Sequence, residues 1–131
     1  KISKANSVLV CVEGGSAGRK IAYSNKKCHF GNKLCSIEPK ENLNPKFLYY
    51  YTLGKEFQFQ FKDNLGGLIG GVSISKIKSF DISFPTLSEQ SSIVSNIEKL
   101  FNEIDNSINI SKKKIDKLID LKNSILISKL K

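Results

Sequence analysis

The rhythm of hydrophobic and polar positions changes at Pro85, dividing the chain into a region of short elements and a long helical region. Upstream, residues 8–12 (Val8-Leu9-Val10-Cys11-Val12) form a continuous apolar, β-branched run ending at Gly14-Gly15, the pattern of a buried strand. After this Gly-rich turn, residues 19–23 predict a second strand. Residues 28–31 and 33–37 predict two further short strands, and Pro39 breaks the pattern.

Asn44-Pro45 predicts a helix start, because Asn caps free amides and Pro at the first helical position forfeits no hydrogen bond. That helix runs through Phe47-Leu48-Tyr49-Tyr50-Tyr51-Thr52-Leu53 and stops at Gly54. In residues 55–61, Phe57, Phe59 and Phe61 alternate as in a strand. The segment follows a helix with no turn signal beyond Gly54, which favours a second helix. Residues 66–71 hold four glycines and predict a loop. Residues 75–80 predict one helical turn, and residues 81–85 alternate polar and apolar like an edge strand.

From Thr86 the character is different. Thr86-Leu87-Ser88-Glu89 has the spacing of a capping box, and no Pro or Gly follows through Lys131. Ile93, Ile97, Leu100, Ile104, Ile108, Ile115, Leu118 and Ile125 recur mostly every three or four residues, with a polar interruption near Ser111. This predicts one amphipathic helix, or two joined near residues 109–112. A single helix of that length would reach roughly 60–65 Å. The preceding residues cannot cover such a stripe, so the rod is expected to protrude and pair with another helix. The expected organisation is therefore a globular domain over residues 1–86 and a long helix over residues 87–131, in an α+β, mixed small-sheet class.

Charge sharpens this division. Residues 1–86 carry thirteen Lys/Arg against six Asp/Glu, or +7; residues 87–131 carry eight against six, or +2. A basic globular part suits a polyanion, nucleic acid first among them, with a merely basic soluble protein as the alternative. Composition, with 40% hydrophobic and 25% charged residues, argues against wholesale disorder. No apolar run approaches the roughly 18–20 residues of a membrane span, and the first residues do not read as a signal peptide, so the cytoplasm is the expected location.

Candidate chemistry is sparse. Cys11, Cys28 and Cys35 include no CxxC pair, and with the single His29 they do not supply the paired ligands of a structural zinc; free thiols buried in strands are expected, with no metal and no cofactor. No grouping of Cys, His and Asp suggests a nucleophile, and no Asn-Pro-Pro-Tyr or Asp-Pro-Pro-Tyr run suggests an adenine methyltransferase, so no enzyme is expected. Gly14-Gly15-Ser16-Ala17-Gly18-Arg19-Lys20 resembles a phosphate loop but lacks Lys followed by Ser or Thr, because Ile21 follows Lys20. A tight turn is the simpler reading. A second is a turn whose backbone amides, with Arg19 and Lys20, touch DNA phosphate.

Lys26, Lys27, His29, Asn32 and Lys33 form a basic stretch able to reach phosphates and base edges, Lys favouring guanine and Asn adenine; the alternative is a solvated hairpin. The aromatics between Phe47 and Phe61 suit a core better than a base-stacking platform. Lys112-Lys113-Lys114 reads as a solvated helix face that could also meet DNA or an acidic partner.

Several stretches, taken in order, carry a family resemblance: Ala5-Asn6-Ser7-Val8-Leu9-Val10, Glu13-Gly14-Gly15-Ser16-Ala17-Gly18-Arg19-Lys20-Ile21, Gly31-Asn32-Lys33-Leu34 and Phe47-Leu48-Tyr49-Tyr50-Tyr51. Most specific is Gly70-Gly71-Val72-Ser73 through Phe84-Pro85-Thr86-Leu87-Ser88-Glu89-Gln90, continued by Ile93-Val94 and Ile97-Glu98-Lys99-Leu100-Phe101. The whole resembles the specificity (S) subunits of type I restriction-modification systems. The resemblance implies part of a target-recognition domain, with more chain expected before Lys1, followed by the conserved spacer helix. It implies that the domain reads one half of a split double-stranded DNA target. The helices would pair antiparallel and dock the methyltransferase (M) subunit, with the restriction (R) subunit joined indirectly. Helix pairing is expected along Ile93, Ile97, Leu100, Ile104, Ile115, Leu118 and Ile125, either with a second copy or with a second S segment. The competing expectation is an assembly module that pairs through its helix without reading DNA.

Overall fold

The structure, a computed structural model, describes residues 1–67 and 70–130; Leu68 and Ile69 of the expected glycine loop, and Lys131 at the end of the expected helix, lie outside the described residues. The elements are β1 (Ile2–Ser3), β2 (Ser7–Cys11), β3 (Ile21–Ser24), β4 (Cys28–His29), β5 (Leu34–Ile37), α1 (Pro45–Leu53), α2 (Lys55–Asp63), α3 (Ile74–Lys78) and α4 (Leu87–Lys129). Small antiparallel sheets and helices together make the α+β class expected from the sequence.

The apolar run becomes the centre of a three-stranded sheet in the order β3-β2-β5. Val8 pairs with Tyr23 on one side and Ile37 on the other, and Val10 with Ile21 and Cys35. A central strand whose alternate residues meet a packed layer must be apolar, and Val8 and Val10 are fully buried. They share a core with Val12, Cys35, Leu48, Phe57, Phe61 and Val72. A separate two-stranded ribbon joins β1 to β4, with Ile2 opposite His29 and Ser3 opposite Cys28.

The helix boundaries follow local chemistry. Asn44 Oδ1 accepts the amides of Lys46 and Phe47 at 2.9 and 3.2 Å, and Gly54 ends α1. Residues 55–61 are helical: at that spacing Phe57 and Phe61 are one turn apart and fully buried, whereas Phe59 is 72% exposed. The aromatic side chains therefore serve mainly as core. Phe80 closes the cluster, its ring centroid 5.5 Å from that of Phe57 and 6.5 Å from that of Phe61.

Three expectations are corrected. The second strand starts at Ile21, not Arg19, because residues 16–20 are still turning: the amides of Arg19 and Lys20 both return to the Ser16 carbonyl, at 3.0 and 3.2 Å. Cys28, expected buried, is half-buried at the ribbon. Residues 81–85 form no strand. Instead, the Gln60 side-chain amide donates to the Asp81 carbonyl at 2.9 Å and accepts from the Asp81 amide at 2.8 Å, and Tyr51 Oη adds a bond to that carbonyl at 3.1 Å. A side chain supplies the pairing that a neighbouring strand would have supplied, and sequence alternation cannot distinguish the two.

Gly18 shows how tightly the turn is fitted. Its φ is +71°, and a Cβ there would lie 2.6 Å from Cδ1 of buried Phe61. Gly18→Ala combines left-handed backbone strain with overpacking and is expected to cost roughly 3 kcal/mol. A urea titration checks this through a lowered midpoint at unchanged slope.

The chain divides into two compact units, Lys1–Val94 and Ser95–Lys131, so the first turns of α4 belong to the first unit. There the capping box forms: the Thr86 amide donates to Glu89 Oε2 at 3.0 Å, the Thr86 hydroxyl at 2.7 Å, and the Glu89 amide donates to Thr86 Oγ1 at 3.4 Å. These bonds from Thr86 hold the Glu89 carboxyl below its ordinary value of 4.5. A depressed folded value stabilises the fold above the unfolded value and loses that contribution as pH falls through the folded value. Wild type is therefore expected to exceed Glu89→Ala in thermal stability at neutral pH, with the gap closing on acidification through and below pH 4.5. A gap independent of pH would reject the carboxylate's role.

Gln90, fully buried, ties this helix start to the body of the first unit. Its Oε1 accepts the Asn44 amide at 2.7 Å, while its Nε2 donates to the carbonyls of Pro85 at 2.7 Å and Asn42 at 3.1 Å. Val94, one turn on, is also buried, whereas Ile93 is exposed.

α4 is continuous for 43 residues, with no break at residues 109–112, a length of about 65 Å. Within the second unit Ile97 is half-buried, and Leu100, Ile104, Ile108, Ile115, Leu118 and Ile125 are exposed.

Candidate nucleic-acid interface

The ends of the three-stranded sheet place most of the basic candidates. At one end, the Cys11 amide donates to the Lys20 carbonyl at 2.9 Å and the Val12 amide to the Lys33 carbonyl at 2.8 Å. Lys20 and Lys33 therefore flank β2 where it leaves the sheet, about 10 Å apart across two strand spacings. Both are exposed, as are Arg19 and Asn32 beside them. The Asn32 carbonyl takes a bond from Lys1 Nζ at 3.4 Å. Arg19 folds its guanidinium back to donate to the Gly15 carbonyl, so it braces the turn as well as charging it.

Lys26 and Lys27 follow β3 at the opposite end, roughly 14 Å along the strand from Lys20. The Ser24 hydroxyl donates to the Lys26 carbonyl at 2.7 Å, and Lys4 pairs there with Glu38 at 2.9 Å. His29 stands on the ribbon, opposite Ile2. Next to it, Ser24 and Ser3 hydroxyls bond Cys28 Sγ at 3.5 and 3.1 Å and hold the thiol below its ordinary value. The structure thus brings Arg19, Lys20, Asn32 and Lys33 to one sheet end and sets Lys26 and Lys27 at the other, while His29 stands on the ribbon three residues before Asn32.

The glycine turn is not a ready phosphate cradle. Of the seven residues 14–20, five direct their amides inward: Gly14 to Gly70, Ala17 to Gly14, Gly18 to Cys11, and Arg19 and Lys20 to Ser16. The tight-turn reading fits these bonds, and the cationic side chains remain available at its rim. Sequence reasoning missed the second glycine loop as its neighbour. The Gly14 amide reaches the Gly70 carbonyl at 2.8 Å, the Val72 amide reaches the Val12 carbonyl at 2.9 Å, and Glu13 and Gly66 both bridge to Gly71. Two glycine-rich stretches more than fifty residues apart in sequence share one sheet end, and a single sequence carries no signal for such a pairing beyond their common composition. Among the described residues, no group of three or more His, Cys, Asp or Glu side chains could hold a metal ion, and no helix is long and apolar enough to cross a membrane.

The sequence model of the type I restriction modification DNA specificity domain matches residues 1–118. The chain belongs to this family. The match takes in both sheets, α1 to α3 and most of α4. The specificity domain also resembles, at a TM-score of 0.61 and 21% identity, a chain from a solved structure concerning complex assembly and conformational transition of the type I R-M system. That likeness covers 80% of this chain and 25% of the solved one, and it bears on the fold. The specificity domain therefore spans about a quarter of the length of the solved chain it matches.

Proposed function

We propose that this specificity domain binds duplex DNA through the sheet end carrying Arg19, Lys20, Asn32 and Lys33, and reads one half of a split target. The observation that carries the reading is the exposure of those side chains around the exit of β2, in a region of net charge +7. Phosphate contacts from such cations would set register, and base-edge contacts would set sequence. No chemistry is assigned to the chain itself: methyl transfer would belong to a docked M subunit, with the R subunit joined indirectly, and no cofactor is required here.

The second unit supports an assembly role alongside DNA reading. Its apolar stripe is exposed in this chain, and a stripe of that length favours a helical partner. Its charges are also asymmetric. Residues 95–110 hold three acids against one lysine, and residues 111–130 hold six lysines against two acids. Antiparallel pairing with a second copy, or with a second S segment of similar pattern, would set acidic turns against basic ones. If DNA reading is absent, this pairing is what remains of the function.

Salt titration separates the two roles. Each phosphate contact contributes about 0.9 to the slope of log affinity against log salt. The double variant Lys20→Ala, Lys33→Ala is expected to weaken DNA binding and lower that slope by about 2, while Lys26→Ala, Lys27→Ala changes it less. Equal slopes for wild type and the Lys20, Lys33 variant would reject this face as the phosphate-contacting one.

A further inference from the structure

Glu13 has the opposite charge from its neighbours. It lies one residue beyond β2, between Val12, whose amide donates to the Lys33 carbonyl, and Gly14, whose amide donates to the Gly70 carbonyl. A carboxylate beside Arg19, Lys20 and Lys33 opposes the phosphate attraction those residues supply. Among the described residues no cation forms an ion pair with it.

Its position depends on glycine. Glu13 and Gly71 form an antiparallel bridge, and a Cβ on Gly71 would lie 3.0 Å from the Val12 carbonyl oxygen and 3.8 Å from Glu13 Cγ. The stem of Glu13 therefore lies beside the space that glycine leaves free. It borders a groove of about 480 Å³ that includes Gly66, Gly67, Gly70, Gly71 and Ile74. A Cβ added at Gly14 or Gly15 would meet nothing within 4 Å among the described residues, and Glu13 itself is exposed.

Duplex DNA offers a carboxylate few favourable contacts. Phosphates repel it, and guanine presents the acceptors N7 and O6 in the major groove, as thymine presents O4. Adenine's amino group sits beside the acceptor N7, which opposes a second acceptor. Cytosine presents its N4 amino group without that neighbour. We propose that Glu13 is a specificity-determining residue that accepts a hydrogen bond from cytosine N4 in the major groove, fixing one position of the half-site. This rests on the reading of the sheet end as the DNA-facing surface.

The test is selection from a random duplex library with the purified full chain and with Glu13→Gln, a substitution that fits an exposed position without repacking. Wild type is expected to yield a motif with cytosine at one position. Glu13→Gln should lose cytosine there, gain adenine, keep the other positions, and bind the wild-type motif about tenfold or more weakly. Affinity for unrelated duplexes should stay level or rise, since one negative charge is gone. A variant that binds every duplex more tightly and keeps the motif unchanged would overturn the inference alone, leaving Glu13 a purely electrostatic role. A wild-type chain that selects no motif would overturn the DNA reading and this inference together.

Discussion

Gln90→Leu is expected to destabilise the first unit by about 3 kcal/mol or more, the largest loss anticipated from a single side chain here. The replacement keeps the volume of the buried residue and removes its amide. Three backbone groups then lose their partner: the Asn44 amide and the carbonyls of Asn42 and Pro85. An unsatisfied buried polar group costs about 1–3 kcal/mol, so the three together exceed the gain from burying one more aliphatic side chain. Asn44 also caps α1 through its side chain, so the loss should extend to that helix. A urea titration followed by circular dichroism measures the effect. A stability within about 0.5 kcal/mol of wild type would mean that solvent replaces the amide and that Gln90 is not the tie described here.

Self-association through the second unit is expected to disappear in the double variant Ile97→Asp, Ile104→Asp. Ile104 is exposed in this chain and Ile97 half-buried, and both lie in the second unit. In a paired helix both positions would lie in the apolar seam, and burying two unpaired carboxylates there is prohibitive. Sedimentation equilibrium should show at least a hundredfold weaker association, with helix content of the monomer reduced only modestly. An unchanged oligomer would reject the proposed seam. Raised salt should affect the apolar part of the pairing little and its acid-against-base part more.

The sequence foretold elements wherever the signal was local. Val8 and Val10, the Asn44-Pro45 helix start, the Gly54 stop and the Thr86–Glu89 box each act within a few residues, and each is found in place. Missing were contacts that depend on distant chain. Residues 81–85 alternate like a strand, yet their partner is the Gln60 side chain, a choice made by tertiary packing and not by periodicity. Gln90 was legible as part of a junction motif, but its three bonds to residues 42, 44 and 85 were not. The candidate site divides in the same way. Residue type marked Lys20, Lys33, Lys26 and Lys27 alike, and strand register then separated them to opposite ends of the sheet. The two glycine-rich stretches were each visible, and their meeting beside Glu13 was not.

On the proposed function, this specificity domain directs modification to a DNA sequence. Methylation mapping in cells that express a cognate M subunit, with and without the chain, tests this. A modified motif that appears only with the chain is the predicted result, and a symmetric motif would further indicate two copies paired through α4. Unchanged methylation, with the chain shown to be soluble and bound to the M subunit, would contradict the claim and leave assembly as the function.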